Sequence, residues 1–143
     1  MISVKVFLSG DVYILVLEVG EKVFESIKKF ANEYDFCGFM IGIGALKDPT
    51  IAYFDKESKE YKHIKLEGGY ELTSLLGNIG RLENGDVISH IHVTLGDKDG
   101  KILGGHLVEG EVAVTVEIFL TKTKCFLRKK DNLFNLNLIM EEA

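Results

Sequence analysis

The stretch "SHIHVTLGDKDGKILGGHL", Ser89 to Leu107, predicts two strands joined by a turn, and it holds three of the four histidines in the chain. From Val87 to Leu95 the odd-numbered residues are mainly apolar, whereas His90 and His92 are even-numbered. Side chains two positions apart on a strand lie on the same face. Both imidazoles are therefore expected opposite the apolar face, and "GDKDGK" supplies the Asp and Gly residues that a hairpin turn favours.

The returning strand decides whether the third imidazole joins the other two. If the hairpin closes with Gly96 opposite Lys101, the ring of His106 points to the other face. A single bulged residue at Gly104–Gly105 would correct the phase and bring His106 opposite His92, because an inserted residue reverses the direction of every side chain after it. We therefore predict a bulge at these glycines.

Three converging imidazoles are a metal-ligand set. The Cα atoms of His90 and His92 are expected about 6–7 Å apart, which lets two ring nitrogens reach one ion at about 2 Å each. Three neutral imidazoles leave one tetrahedral position of a zinc ion open, as in catalytic zinc sites. The alternative is that the histidines are ordinary polar residues on a strand face that is exposed to solvent. The fourth histidine, His63, is interpreted as an ordinary, partly exposed strand residue.

The flanking sequence predicts an α+β fold in a single domain, residues 1–143. Alternating apolar residues over 12–19 and 112–120 are typical of strands with one buried face. Residues 36–46 are apolar on both alternating sets, which indicates a central strand covered on both faces. Apolar residues recur every three or four positions from Val23 to Tyr34, which indicates one main amphipathic helix packed on a mostly antiparallel sheet. Further strand candidates are residues 51–55, 61–66, 69–80 and 87–95.

The charge balance weighs against a polyanionic partner. The chain has 17 Lys and Arg against 22 Asp and Glu, a formal net charge of -5, and should repel nucleic acid as a whole. One segment, "KTKCFLRKK", is locally basic and is the weak candidate for a phosphate contact; a solvated strand edge is the alternative. We call its charged residues the basic cluster: Lys122, Lys124, Arg128, Lys129 and Lys130.

Cysteine usage and hydropathy bear on compartment. The two cysteines, Cys37 and Cys125, form no close-spaced pair and are interpreted as small core hydrophobes. Lys5, Gly10 and Asp11 interrupt the apolar N-terminal stretch before a secretory segment develops, and no run approaches the length of a membrane span. No membrane association is expected, and the default expectation is a cytoplasmic protein.

The succession "GIGAL", "YFDKESKEY", "YELTSLLGNI", "HIHVTLGDKDGKILGGHL" and "VAVTVEIFL" resembles the plant-and-prokaryote-conserved (PPC) domain, which occurs beside AT-hooks in plant nuclear proteins. The resemblance implies a homotrimer of α+β subunits and a divalent metal, zinc being expected, held by His90, His92 and His106. It also implies a DNA-binding label that comes from AT-hook members with an R-G-R-P core. This chain has no R-G-R-P, and its only arginines are Arg81 and Arg128, so it is expected to be a stand-alone, prokaryotic-type member.

Two classes of function follow. The first is a trimeric metal-binding module with a DNA-binding, regulatory or scaffold role and no catalysis, with DNA disfavoured by the charge and the missing AT-hook. The second is a zinc-dependent enzyme or small-molecule-binding protein that uses the open coordination position, with Glu71, Glu109 and Glu117 as candidates for orienting ligands or moving protons. For Glu71 and Glu117 the alternative is a salt bridge between subunits or an ordinary polar position on a strand. No nucleophile, base and orienting group can be assembled from the sequence, which favours the first class.

Overall fold

A computed structural model describes residues 5–143. Within that range the chain forms one helix and nine strands, and all the strands belong to a single sheet. The predicted single helix beside a dominant sheet is confirmed. The elements are β1 (Lys5–Ser9), β2 (Val12–Glu18), α1 (Val23–Glu33), β3 (Gly38–Asp55), β4 (Glu60–Lys65), β5 (Gly69–Leu82), β6 (Val87–Gly96), β7 (Ile102–Lys122), β8 (Phe126–Lys130) and β9 (Asn137–Glu142).

Four of these strands close into a ring. Strand β3 pairs with β5 along one edge and with β7 along the other, and β6 pairs with both β5 and β7. Every pairing is antiparallel except that of β5 with β8, which makes the sheet mixed. Strands β3 and β7, with 18 and 21 residues, are long enough for each to pair with three other strands.

Strand β3 joins two segments that the sequence predicts as separate strands. Residues 38–46 and 51–55 belong to one strand, which begins two residues after the predicted start, and the chain bends between them where the pairing with β7 shifts register. Asp48 adopts a φ of 50° at this bend, and its carboxylate accepts the N–H of Gly68 at 2.7 Å. The sequence Lys47-Asp48-Pro49 therefore bends the strand without ending it.

Helix α1 covers one side of the ring. Its buried residues are Val23, Ser26, Ile27, Phe30 and Ala31, and it packs against β7 and β6. Four of them belong to the predicted apolar stripe, whereas Tyr34 at its end is exposed. The helix ends one residue before the predicted limit. Full burial of side chains such as Ile27 and Phe30 contributes about 1.5–3 kcal/mol each to folding.

The two cysteines are joined in a disulfide, so their interpretation as simple small core hydrophobes was wrong, although Cys37 is buried in the core. Gly38 at the start of β3 pairs with Lys122 at the end of β7, and the N–H of Thr123 donates to the Cys37 carbonyl. The segment that follows β7 therefore lies beside Cys37. This brings Cys125 within bonding distance of Cys37, although the two are 88 residues apart in sequence. In the described part of the chain, no helix has the length and apolar character required to cross a membrane. Cytoplasmic residence stays a prediction.

Candidate metal centre

The β6–β7 hairpin places the three histidines by a different register from the one expected. His92 pairs with His106 as predicted, but Gly96 pairs with Ile102, and the pairs between them run without a shift. The predicted bulge at Gly104–Gly105 was therefore wrong. The Asp97 carboxylate accepts the N–H groups of Asp99 and Lys101 at 2.8 and 2.9 Å, which closes a loop one residue longer and sets the phase.

The glycines of "GGH" serve a different purpose. A Cβ at Gly104 would collide with the carbonyl oxygen of Val93 on β6, so this position needs a glycine for close backbone approach. Gly104 lies opposite Thr94, two pairs from the His92–His106 pair. The glycine thus lets β6 and β7 pair closely beside the histidines.

The three imidazoles converge on one region of the outer face. Their metal-ligating nitrogens all lie within 4.8 Å of one another, and His90 Nε2 is 3.1 Å from His92 Nε2. A tetrahedral ion about 2.0–2.1 Å from each nitrogen holds any two of them roughly 3.3–3.4 Å apart. The His90–His92 pair therefore already has a spacing that fits a metal, whereas separations of up to 4.8 Å within the set would have to shorten on binding.

The surroundings of His90 and His106 favour the neutral form of these two rings. Burial, followed by the nearby charges of Arg128, His92 and His106, lowers the pKa of His90 to about 4. Burial also lowers the pKa of His106, with smaller contributions from His92 and His63. Near neutral pH both rings are unprotonated, and their nitrogen lone pairs are free to bind a cation.

Three residues that the sequence analysis did not connect with the histidines contact the rings or their partners. Tyr61 of β4 packs against the ring of His106, with centroids 4.9 Å apart. The Nη2 of Arg128 lies 3.4 Å from His90 Nδ1 and donates to Asn78 Oδ1 at 2.8 Å. Asn78 is the partner of His90 in the β5–β6 pairing. The Nδ1 atom of His106 is buried and has no hydrogen-bond partner among residues 5–143.

The fourth histidine lies apart from the cluster. His63 is exposed on β4 opposite Ala52, which is itself opposite His106. It therefore shares the outer face with the cluster but is separated from it by one strand. His63 is a natural control residue.

The three predicted acidic residues have other neighbours. The Glu109 carboxylate accepts the N–H groups of Phe24 and Glu25 at 2.7 and 3.2 Å and so caps helix α1. Glu71 pairs with Gly96 of β6. Gly96 lies four residues from His92, which is roughly 13 Å along the strand at about 3.3 Å per residue. Glu117 pairs with Ile43 and lies still farther along β7. The structure brings none of the three carboxylates to the rings.

The basic cluster is divided between the interior and the surface. Arg128 is 5% exposed and points toward the histidines. Lys129 forms an ion pair with Glu141. Of the five residues, Lys122, Lys124 and Lys130 are exposed. The strongest phosphate-binding side chain of the cluster is thus turned inward.

Comparison with known proteins supplies relatives over the full chain. The family model of the Plants and Prokaryotes Conserved (PCC) domain matches residues 5–124. A plant- and prokaryote-conserved (PPC) protein from Pyrococcus horikoshii is 39% identical, with 100% of this chain and 99% of that chain covered and a TM-score of 0.84. A metal-containing protein from Archaeoglobus fulgidus is 31% identical, with 99% of both chains covered and a TM-score of 0.84.

A third structure, from Bacteroides thetaiotaomicron and described as a candidate DNA-binding protein, is 24% identical, with 96% of this chain and 97% of that chain covered and a TM-score of 0.92. At that identity the likeness shows the fold alone. No curated protein matches the chain.

Proposed function

The chain belongs to the Plants and Prokaryotes Conserved domain family, and from that membership we propose that it is a metal-binding module in which His90, His92 and His106 hold one divalent cation. The observation that carries the proposal is the convergence of the three ring nitrogens within 4.8 Å. The description of the Archaeoglobus relative as a metal-containing protein supports it.

Zinc is the ion that this donor set fits best. Imidazole nitrogens suit zinc, copper, iron and nickel, whereas magnesium and calcium prefer oxygen ligands. Zinc accepts three imidazoles in tetrahedral geometry without a geometric demand of its own. When bound, such an ion supplies a Lewis-acidic position for an incoming ligand. His90 and His106 are half-buried and His92 is exposed, so the cluster opens on the side of His92.

A binding role is favoured over catalysis. Among the described residues, the hydrogen bonds of the three rings are to each other and to Arg128, and none is to a carboxylate. A hydrolytic zinc site ordinarily has a general base within hydrogen-bond reach of the reacting ligand. Glu109, which the sequence suggested for that part, is engaged at the helix N-terminus. We therefore assign the chain to regulatory or scaffold modules whose open position receives a ligand.

DNA is the less favoured partner. The net charge is -5, Arg128 is buried, and Lys129 is paired with Glu141. A DNA complex held by Lys122, Lys124 and Lys130 would weaken steeply as salt is raised. Retention on a DNA column that falls in this way, and is lost when these three lysines are replaced by Gln, would restore DNA to the proposal.

Self-association as a trimer is part of the proposal, and an exposed apolar surface supports self-association. On the outer face Ile41 of β3 is 51% exposed and lies between Leu76 of β5 and Phe119 of β7, which are also exposed. Phe39 and Ile43 extend this patch along β3. Contiguous exposed apolar surface of this kind marks interaction sites. We expect Ile41→Lys to convert a trimer into monomers in light scattering; a native protein that is already monomeric would contradict this part.

The metal site is tested by elemental analysis of protein purified without a histidine tag and loaded with zinc. We expect about one zinc per chain in the native protein and in His63→Ala, and almost none in His92→Ala. His63→Ala removes an exposed histidine of the same face that is not one of the proposed ligands. Equal zinc content in all three proteins would refute the proposal.

A further inference from the structure

A cavity of about 320 Å³ lies against the cluster and is bordered by His90 and His106. Much of its lining is apolar and comes from the N-terminal turn of α1, strand β4, the start of β6 and the start of β9. Its volume equals roughly ten water molecules at about 30 Å³ each, which suits a small organic molecule of about as many heavy atoms. The apolar contributors include Phe24, Tyr61, Ile88, Leu136 and Leu138.

Arg128 stands in the wall of this cavity with its charge unpaired. Its Nη1 donates to the Asn137 carbonyl at 2.9 Å, and its Nη2 donates to Asn78 Oδ1 at 2.8 Å. Its Nε is buried and has no hydrogen-bond partner, and no carboxylate of residues 5–143 forms an ion pair with it. A guanidinium stays charged, and burying a charge without a counter-charge is costly. The charge of Arg128 therefore has no counter-charge among the described residues.

The only other arginine shows what Arg128 lacks. Arg81 also donates to backbone carbonyls, those of Phe36 and Gly80 at 3.0 and 3.1 Å. Unlike Arg128, it also reaches a carboxylate, Asp35 Oδ1, at 3.3 Å. Both arginines thus bind the backbone, but only Arg81 has an acidic partner among the described residues. Arg81 lines none of the cavity.

We propose that this cavity binds a small organic carboxylate, whose carboxylate pairs with the free donors of Arg128 and whose apolar body lies against Phe24, Tyr61 and Leu136. A guanidinium fork matches a planar carboxylate. Ser89, 8% exposed, borders the same cavity and its hydroxyl is buried without a partner in the described chain, so it is a second candidate donor. The inference does not require the metal, because Arg128 is not one of the proposed ligands.

Isothermal titration of zinc-free protein with benzoate and hexanoate tests the inference, with benzamide as the uncharged counterpart of benzoate and inorganic phosphate as a small anion without an apolar body. Both carboxylates should bind. Benzamide should bind at least tenfold more weakly because it lacks the charge that strengthens the hydrogen bonds to Arg128, and phosphate should bind at least tenfold more weakly because it lacks an apolar body. Arg128→Lys keeps the charge but removes the Nε donor and the fork, and should weaken benzoate at least tenfold. Arg81→Lys is the matched control and should bind benzoate as the native protein does.

The outcomes separate this inference from the metal site. Benzoate that binds zinc-free Arg128→Lys as tightly as native protein would overturn the inference, as would failure of both carboxylates to bind. Benzoate that binds only after zinc is added, and equally in both proteins, would place the carboxylate on the ion and also overturn it. Arg128-dependent benzoate binding in a protein that takes up no zinc would support the inference and refute the proposed metal site. The contrast between benzoate and benzamide on native protein decides the matter if Arg128→Lys does not fold.

Discussion

Zinc should stabilise the native protein against heat through its three histidines, and His92→Ala should abolish most of that effect. At a free zinc concentration one hundred times the dissociation constant, a ligand that binds only the folded state adds about 2.7 kcal/mol. For 143 residues, an unfolding entropy of about 2.1 cal/mol/K per residue gives about 0.30 kcal/mol/K. The expected rise in Tm is therefore about 9 °C.

Removing one of the three ligands should lower the affinity for zinc at least a hundredfold. The expected loss is larger than that caused by removing a hydrogen bond to a ligand, which lowers metal affinity about 10–100-fold. At the same free zinc concentration, His92→Ala would then gain about 0.4 kcal/mol and about 1 °C. His63→Ala should keep the full rise, because His63 is separated from the cluster by strand β3.

The assay is thermal unfolding followed by circular dichroism, at fixed protein concentration, in a zinc buffer and in EDTA. Fixed protein concentration matters because association between subunits also shifts Tm. A rise of the same size in His92→Ala as in native protein, or a rise lost in His63→Ala, would refute the assignment of the ligands.

Three further predictions concern the same region. Because the folded-state pKa of His90 is lowered to about 4 from its ordinary 6.5, the unfolded chain takes up the proton first as pH falls, and stability should be lost from pH 6.5 down to 4. Between pH 7.5 and pH 5, the free energy of unfolding measured in urea should therefore fall by roughly 1–2 kcal/mol more in the zinc-free native protein than in zinc-free His90→Gln; the figure is discounted for the partial exposure of the ring. An equal fall in the two proteins would contradict this prediction. Cys37→Ser should lower the free energy of unfolding by about 4–5 kcal/mol in the chain-entropy estimate for a bridge across 88 residues, and an unchanged urea midpoint would argue against the disulfide. Gly77→Ala should lower the free energy of unfolding by about 1–3 kcal/mol and lower the affinity for zinc, because the new Cβ would collide with the His90 carbonyl oxygen. Gly69→Ala on the same strand places its Cβ in open space and should change neither quantity.

Period-two patterning was enough to predict part of the site. The shared face of His90 and His92 follows from their spacing on one strand, and the buried odd-numbered residues of β6 confirm it. The pairing of His106 with His92 was also predicted, but for the wrong physical reason, since loop length sets the phase and no bulge does. Turn length is weakly encoded when several Asp and Gly residues can each close a hairpin.

Long-range contacts account for what the sequence did not reveal. Arg128 reaches His90 across 38 residues, Glu109 caps α1 across 85, and Cys37 meets Cys125 across 88. Each depends on how β3, β7 and β8 pair, and no local period encodes that pairing. A run such as "KTKCFLRKK" therefore predicted a surface cluster, whereas the parallel pairing of β8 with β5 turns one of its side chains inward.

The most direct test of the central claim is X-ray absorption spectroscopy of the zinc-loaded native protein, because it reports the atoms around the ion. Three imidazole nitrogens at about 2.0–2.1 Å, with the rest of the shell made of light atoms from solvent or a ligand, are the predicted result. Loss of one imidazole in His106→Ala should accompany it. A shell made only of oxygen, or one with the same number of imidazoles in His106→Ala, would show that the three histidines do not share an ion.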